Sequence, residues 1–231
     1  MRKATGSIPA PASDLRLPRA MSAPRVFLLS PAYCGGKRAQ LVMRDAASFP
    51  LARQLRAPEG APLGDVFSFL SGLYFRGKMA YVKAFDRPPD GLPGALVITS
   101  TRGLVPPESR ITLDVLREFA EVGEVAVGNV RYQGPLEEHM RAVDAAATPD
   151  TLFVLLGSIA SDKYVRVLTD IVGERLVFPP DFVGRGDMSR GGLMLRAAES
   201  GKELEYVPVL GAVRHGPRPP RLEPRSWKAR T

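Results

Sequence analysis

Four short runs of the chain are apolar without alternation: Val26–Ser30 (VFLLS), Ala95–Ser100 (ALVITS), Leu152–Ser158 (LFVLLGS) and Arg175–Pro179 (RLVFP). Such runs fit strands covered on both faces, because a strand with one wet face alternates. Between them, apolar residues recur at helical spacing over Phe67–Phe85, Leu113–Val122, Pro135–Ala147, Asp162–Val172 and Met188–Glu199. Ser161 stands where an N-cap is expected, Gly173 where a helix stops, and Pro135 opens its segment. Gly72 and Gly77 are weak points inside the first of these helices. Strands alternating with helices predict an α/β fold, with a mostly parallel central sheet flanked by helices. The stretch ELEYVPVLGAV (203–213) is a candidate last strand. No internal repeat or heptad pattern interrupts this reading.

Polar chemistry collects just past each apolar run. SPAYCGGKR follows the first, TSTRGLVPPE the second, GSIASDKY the third and FPPDFVGRGDMSR the fourth. Parallel strands present these ends on one edge, where open α/β sheets form their ligand crevice. Ser30, Lys37, Thr99, Arg102, Ser158, Lys163, Arg185, Asp187 and Arg190 are therefore expected to face one cleft. Hydroxyls, glycine-rich turns and helix N-termini favour anions, and Arg adds two-pronged recognition of phosphate or carboxylate. CGGKR lacks the full spacing of a phosphate loop, and Arg102 has the alternative of capping a carboxylate. The most distinctive stretch is GRGDMSRGG (184–192). It reads either as an ordinary surface loop or as backbone brought close to a ligand. Asp187 is the candidate general base, or only the partner of Arg185 or Arg190. Cys34 is either an inert thiol or one activated by a helix start beside Lys37.

Composition narrows the classes. The chain has 231 residues, 45% of them hydrophobic, enough for one sizeable α/β core. No apolar run approaches the roughly 20 residues of a membrane span. The first residues lack the apolar stretch of a secretory leader, and Met21 is an alternative start. With one cysteine and two histidines, no intrachain disulfide can form and no zinc set is expected, so the default setting is cytoplasmic. No feature indicates a nicotinamide, a flavin or another cofactor. The net charge of +8 suggests a polyanionic partner, but the excess lies wholly in residues 1–20 and 211–231. The expected organisation is a basic, Pro-rich, disordered tail over 1–24, one α/β domain over 25–210 and a second basic Pro-rich tail over 211–231.

Two resemblances rest on these residues. LYFRGKMAYVKAF followed by ALVITSTRGLVPPE resembles bacterial YaaA-type proteins, with Ser30, Cys34, Gly35, Lys37, Arg76, Lys78, Ser100, Gly103 and Leu104 in comparable places. VFLLSPAYCGGKRAQ, LVITS and FVLLGSIASDKY followed by FPPDFVGRGDMSRGGLML are similar, in order and spacing, to the strands and DNA-facing loop of the uracil-DNA glycosylase superfamily. Over residues 25–200 the resemblance implies a three-layer α/β architecture with a base pocket. It departs at the chemistry. The first motif reads Ser-Pro-Ala-Tyr-Cys where the family has its acid, FPPD stands where the last loop has its His, and the second-strand Asn reads Thr99 or Ser100.

The leading expectation is a nucleic-acid-associated protein, binding DNA or RNA, with a base or nucleotide pocket. A glycosylase-like hydrolase of base modification or repair is its enzymatic form. Arg185, Ser189 and Arg190 would then contact phosphate, and Ser30, Cys34, Lys37 and Thr99 would line the pocket. The alternatives are an enzyme or binding protein for a phosphorylated or carboxylated metabolite, and an interaction module whose Arg/Pro tail docks an acidic partner.

Overall fold

The computed structural model describes residues 23–122 and 128–223. The expected N-terminal tail lies almost wholly outside them, as do the last eight residues of the C-terminal one.

Six strands form the main sheet: β1 (Arg25–Leu29), β3 (Ala95–Ile98), β4 (Leu104–Val105), β6 (Leu152–Leu156), β7 (Leu176–Phe178) and β8 (Val207–Pro208). Their order is β4-β3-β1-β6-β7-β8. The four inner strands are parallel, and β4 and β8 run antiparallel at the two edges. A separate two-stranded ribbon pairs β2 (Ala61–Pro62) with β5 (Arg110–Ile111).

The apolar runs are unbroken because each inner strand feeds two cores. Phe27, Leu29, Val97, Val154 and Leu156 face one. Val26, Leu28, Leu96, Ile98, Phe153 and Leu155 face the other. The first core is closed by α1 (Lys37–Met43), α2 (Pro50–Arg56), α3 (Leu63–Ser71), α4 (Leu73–Phe85), α5 (Leu113–Glu121) and α8 (Asp187–Ser200). The second is closed by α6 (Val130–Ala146) and α7 (Asp162–Val172). The mixed α/β class and three layers follow. Among the described residues, no helix is long and apolar enough to cross a membrane.

Several boundaries differ from the sequence reading, each for a local reason. The single helix expected over Phe67–Phe85 is two, because Gly72 adopts φ 61° and ψ −125° and breaks the axis between α3 and α4. The helix expected to open at Pro135 begins at Val130, where the Asn129 side chain accepts the Arg131 N–H, and Pro135 sits inside it. Ser161 precedes α7 with extended backbone but makes no side-chain cap. The helix expected over Met188–Glu199 is present as α8, one residue longer at each end, so GRGDMSRGG is only half a loop. A 3-10 turn (Pro180–Phe182) leads into α8, so Ser189, Arg190, Gly191 and Gly192 are helical.

The glycines of that stretch do permit close approach, but to the chain itself. A Cβ on Gly191 would lie 2.7 Å from the Leu73 carbonyl oxygen, and one on Gly77 would lie 2.6 Å from the Gly191 carbonyl oxygen. α4 and α8 therefore cross backbone to backbone, a contact that any larger side chain would prevent. Gly184 approaches Pro217 in the same way, and Gly192 faces Leu222.

Candidate functional site

The second parallel strand of the chain, β3, lies on one side of β1, and the third, β6, lies on the other. The segments leaving β1 and β6 therefore diverge, and a crevice opens at their C-terminal ends. A cavity of about 600 Å³ occupies that place. Ser30 and Ser158 stand on its wall at the two strand ends. Gly157 lets them meet a third hydroxyl. A Cβ there would lie 2.8 Å from Tyr164 Oη and 2.9 Å from Ser30 Cβ. Tyr164 Oη donates to the Ser158 carbonyl at 3.0 Å.

Aromatic rings form much of the remaining wall: Tyr33, Phe67, Tyr74, Phe119 and Tyr164. Lys163 and Arg190 bring positive charge from the first turns of α7 and α8, and Asp187 brings the one carboxylate. Arg190 is nearly buried. Its Nε donates to the Phe182 carbonyl at 3.1 Å, and its Nη1 lies 3.5 Å from Asp187 Oδ1. Asp187 itself keeps two-thirds of its side chain in solvent, at 67% exposure. Tyr74 Oη is buried on the wall without a hydrogen-bond partner. Burial pushes the Tyr74 phenol well above its ordinary value, and the charge of Arg190 opposes this without a hydrogen bond of good geometry between them.

Behind Ser30 lies Lys78, which is 0% exposed. Its Nζ is 2.8 Å from the Ser30 carbonyl oxygen and 2.7 Å from Ser30 Oγ. It also sits 4.0 Å from the centre of the Tyr74 ring. Burial pulls this amine down from 10.5 to about 7; Asp187 opposes the shift and Arg190 adds to it. The sequence reading placed Lys78 only within a resemblance and gave it no role. A signal was present: Lys78 falls among Tyr74, Tyr81 and Phe85 on the buried stripe of α4, where a lysine is out of place.

The residues expected to share one cleft separate into three groups. Ser30, Cys34, Ser158, Lys163, Asp187 and Arg190 do line the cavity. The Cys34 thiol faces the Ala32 carbonyl at 3.5 Å, and burial pushes its pKa up to about 12, the opposite of an activating helix start. Thr99, Arg102 and Lys37 stand off the wall. Thr99 Oγ1 donates to the Gly103 carbonyl at 3.0 Å and accepts the Arg102 N–H, so it holds a turn. Arg102 pairs with Glu118 at 2.8 Å, the carboxylate-capping alternative. Lys37 is exposed at the start of α1. Arg185 and Ser189 lie in a second groove, between α8 and residues 218–223. There Arg185 donates to Ser189 Oγ at 3.2 Å and to the Pro220 carbonyl at 3.3 Å. Tyr74, Tyr164, Ser161 and the rings of Phe67 and Phe119 complete the site without having been anticipated.

Among the described residues, no group of three or more His, Cys, Asp or Glu side chains is placed to hold a metal ion. In comparisons with known proteins, no family model, no curated protein and no solved structure matches the chain.

Proposed function

We propose that the crevice at the end of β1 and β6 is a base- or nucleotide-binding pocket, in a protein that works on nucleic acid or on its nucleotide components. One observation carries the reading. Aromatic walls suited to a planar ring meet two helix N-termini bearing Lys163 and Arg190, which suit a phosphate. The pocket volume, about 600 Å³, accommodates a mononucleotide unit. A phosphorylated or carboxylated metabolite without a base is the second reading, favoured by the balance of charge over residues 21–210.

The test is binding of nucleoside monophosphates, sugar phosphates and labelled DNA and RNA to the full chain across a salt series. Nucleotide binding is expected to raise Tm, and Lys163→Ala is expected to weaken it at least about tenfold, the loss of one charge-assisted contact. A steep salt slope with polymer, retained when residues 1–20 and 211–231 are removed, would place nucleic acid itself at the site. Stabilisation by sugar phosphates and none by nucleotides would select the second reading.

A further inference from the structure

Ser30 and Lys78 are more than neighbours in a wall. Ser30 lines the cavity, and Lys78 stands directly behind it with its Nζ 2.7 Å from the hydroxyl. Among the described residues no carboxylate lies within ion-pair distance of Lys78, which is costly for a buried ammonium and tolerable for a neutral amine. A neutral amine has two N–H bonds and one lone pair. With one N–H given to the Ser30 carbonyl, the lone pair is available to the hydroxyl 2.7 Å away. The competing partners for that hydroxyl are the Leu156 carbonyl, 3.4 Å away and weaker, and the Tyr164 hydroxyl. The charged and titratable groups around the pair are Asp187 and Arg190 on α8, Tyr74 on α4 and Tyr164 on α7.

We propose that Ser30 is a nucleophile and Lys78 its general base, and that the pocket hydrolyses an acyl ester or amide carried by its base- or nucleotide-like ligand. In the first half-reaction Lys78 Nζ takes the Ser30 Oγ proton as Oγ bonds to the acyl carbon. The bond from that carbon to the leaving oxygen or nitrogen breaks, and Lys78 returns the proton to the leaving group. In the second half, water gives a proton to Lys78 and bonds to the acyl carbon. The carbon–Oγ bond then breaks and Ser30 recovers its proton. Acyl donor and water become carboxylic acid and alcohol or amine, with no oxidant or cofactor required. The displaced pKa of Lys78 supports this, since a base near neutrality is half available at working pH.

The inference rests on the crevice being a ligand site, and the two readings fail separately. A nucleotide titration that shows no binding removes the ligand class and leaves the dyad. The dyad is tested without that ligand, on the full chain, with a small fluorophosphonate. Ser30 Oγ would displace fluoride at phosphorus, its proton passing to Lys78, and peptide mass spectrometry would locate the adduct. We expect an adduct on Ser30 whose rate rises with pH through about 7 and levels above it, following the neutral form of Lys78. Ser30→Ala should abolish it, and Lys78→Met should slow it at least about 100-fold, the usual worth of a general base. No adduct on Ser30 in the folded wild-type chain overturns the proposal. So does equal labelling of a folded Lys78→Met variant. Should that variant not fold, the wild-type pH profile decides, and a rate flat between pH 6 and 9 overturns it.

Discussion

Two buried cations stand at opposite ends of β1, and the protein treats them differently. Arg25, the first residue of the strand, is 0% exposed and pairs with Glu203. Glu203 also accepts from Tyr206 Oη at 2.7 Å, and Tyr206 Oη lies 2.6 Å from Tyr81 Oη. Tyr81 Oη in turn accepts the Leu204 N–H at 2.9 Å. Charge meets charge, and the two phenols carry the network from Glu203 to the Leu204 backbone. Lys78, behind the residue that follows β1 in the fold, is equally buried but has a serine and an aromatic face as its company. A paired buried ion ties segments distant in sequence, here residues 25 and 203. Where no carboxylate stands beside the amine, burial weakens its hold on the proton instead. The comparison separates structural burial from burial that tunes reactivity.

The largest expected effect breaks the first half of the comparison. Arg25→Met leaves the Glu203 carboxylate buried beside two phenols, and should cost about 3–5 kcal/mol of unfolding free energy. Arg25→Met combined with Glu203→Met should recover most of that loss, because an apolar pair of similar volume replaces the ions without desolvation. Denaturant melts of the wild type, both single variants and the double variant measure it. A double variant as damaged as Arg25→Met would mean that the network, rather than the lone charge, sets the cost.

A smaller effect tests what encloses Lys78. Lys78 follows Gly77 directly on α4, where α4 and α8 touch through Gly77 and Gly191. Gly77→Ala would bring a methyl to 2.6 Å from the Gly191 carbonyl oxygen and 2.9 Å from its Cα, so the helices must part. Overpacking of this kind costs about 1–3 kcal/mol. Parting the helices also lets water toward Lys78, so the midpoint of the Ser30 labelling profile should move to higher pH. A destabilised variant with an unmoved midpoint would show that the crossing supports the fold but not the electrostatics of the dyad.

How far this contrast was readable beforehand follows from what each residue does. The inner strands were legible because Val26–Leu29 and Phe153–Leu156 are buried on both faces, which forbids polar alternation. The shared strand edge brought Ser30 and Ser158 together as expected. Thr99 and Arg102 carry the same residue types at an equivalent place, but the β3–β4 turn and Glu118 consume them. Only the antiparallel return of β4 reveals that, and a two-residue edge strand leaves almost no pattern. The helix over Met188–Glu199 was legible despite its glycines, but the helix crossing that Gly191 serves was not. Arg25 lay hidden because a single basic residue at the start of an apolar run reads as a surface residue until its partner, 178 positions away, is known. Lys78 stood in view on the apolar stripe of α4, without its partner, 48 positions away, to give it a role.

The smallest effect is a pH dependence, and it sharpens the second half of the contrast. Lys78 has a folded-state value of about 7 against 10.5 in the ordinary state. Between these values the unfolded chain binds the extra proton, so stability rises with pH, by at most about 1.4 kcal/mol per unit. Cys34 works in the opposite sense. Its folded value is raised from 9.0 to about 12, so the stability it contributes is complete below pH 9 and is lost as pH rises toward 12. The clean window is therefore pH 7 to 9. Over it, the stability of wild type minus that of Lys78→Met should increase, while wild type minus Arg25→Met should stay level, since an arginine remains charged throughout. Parallel melts at pH 6, 7, 8 and 9 measure both differences. A flat Lys78 difference would mean that the amine keeps its proton beside Ser30, and the two ends of β1 would then hold cations of the same kind.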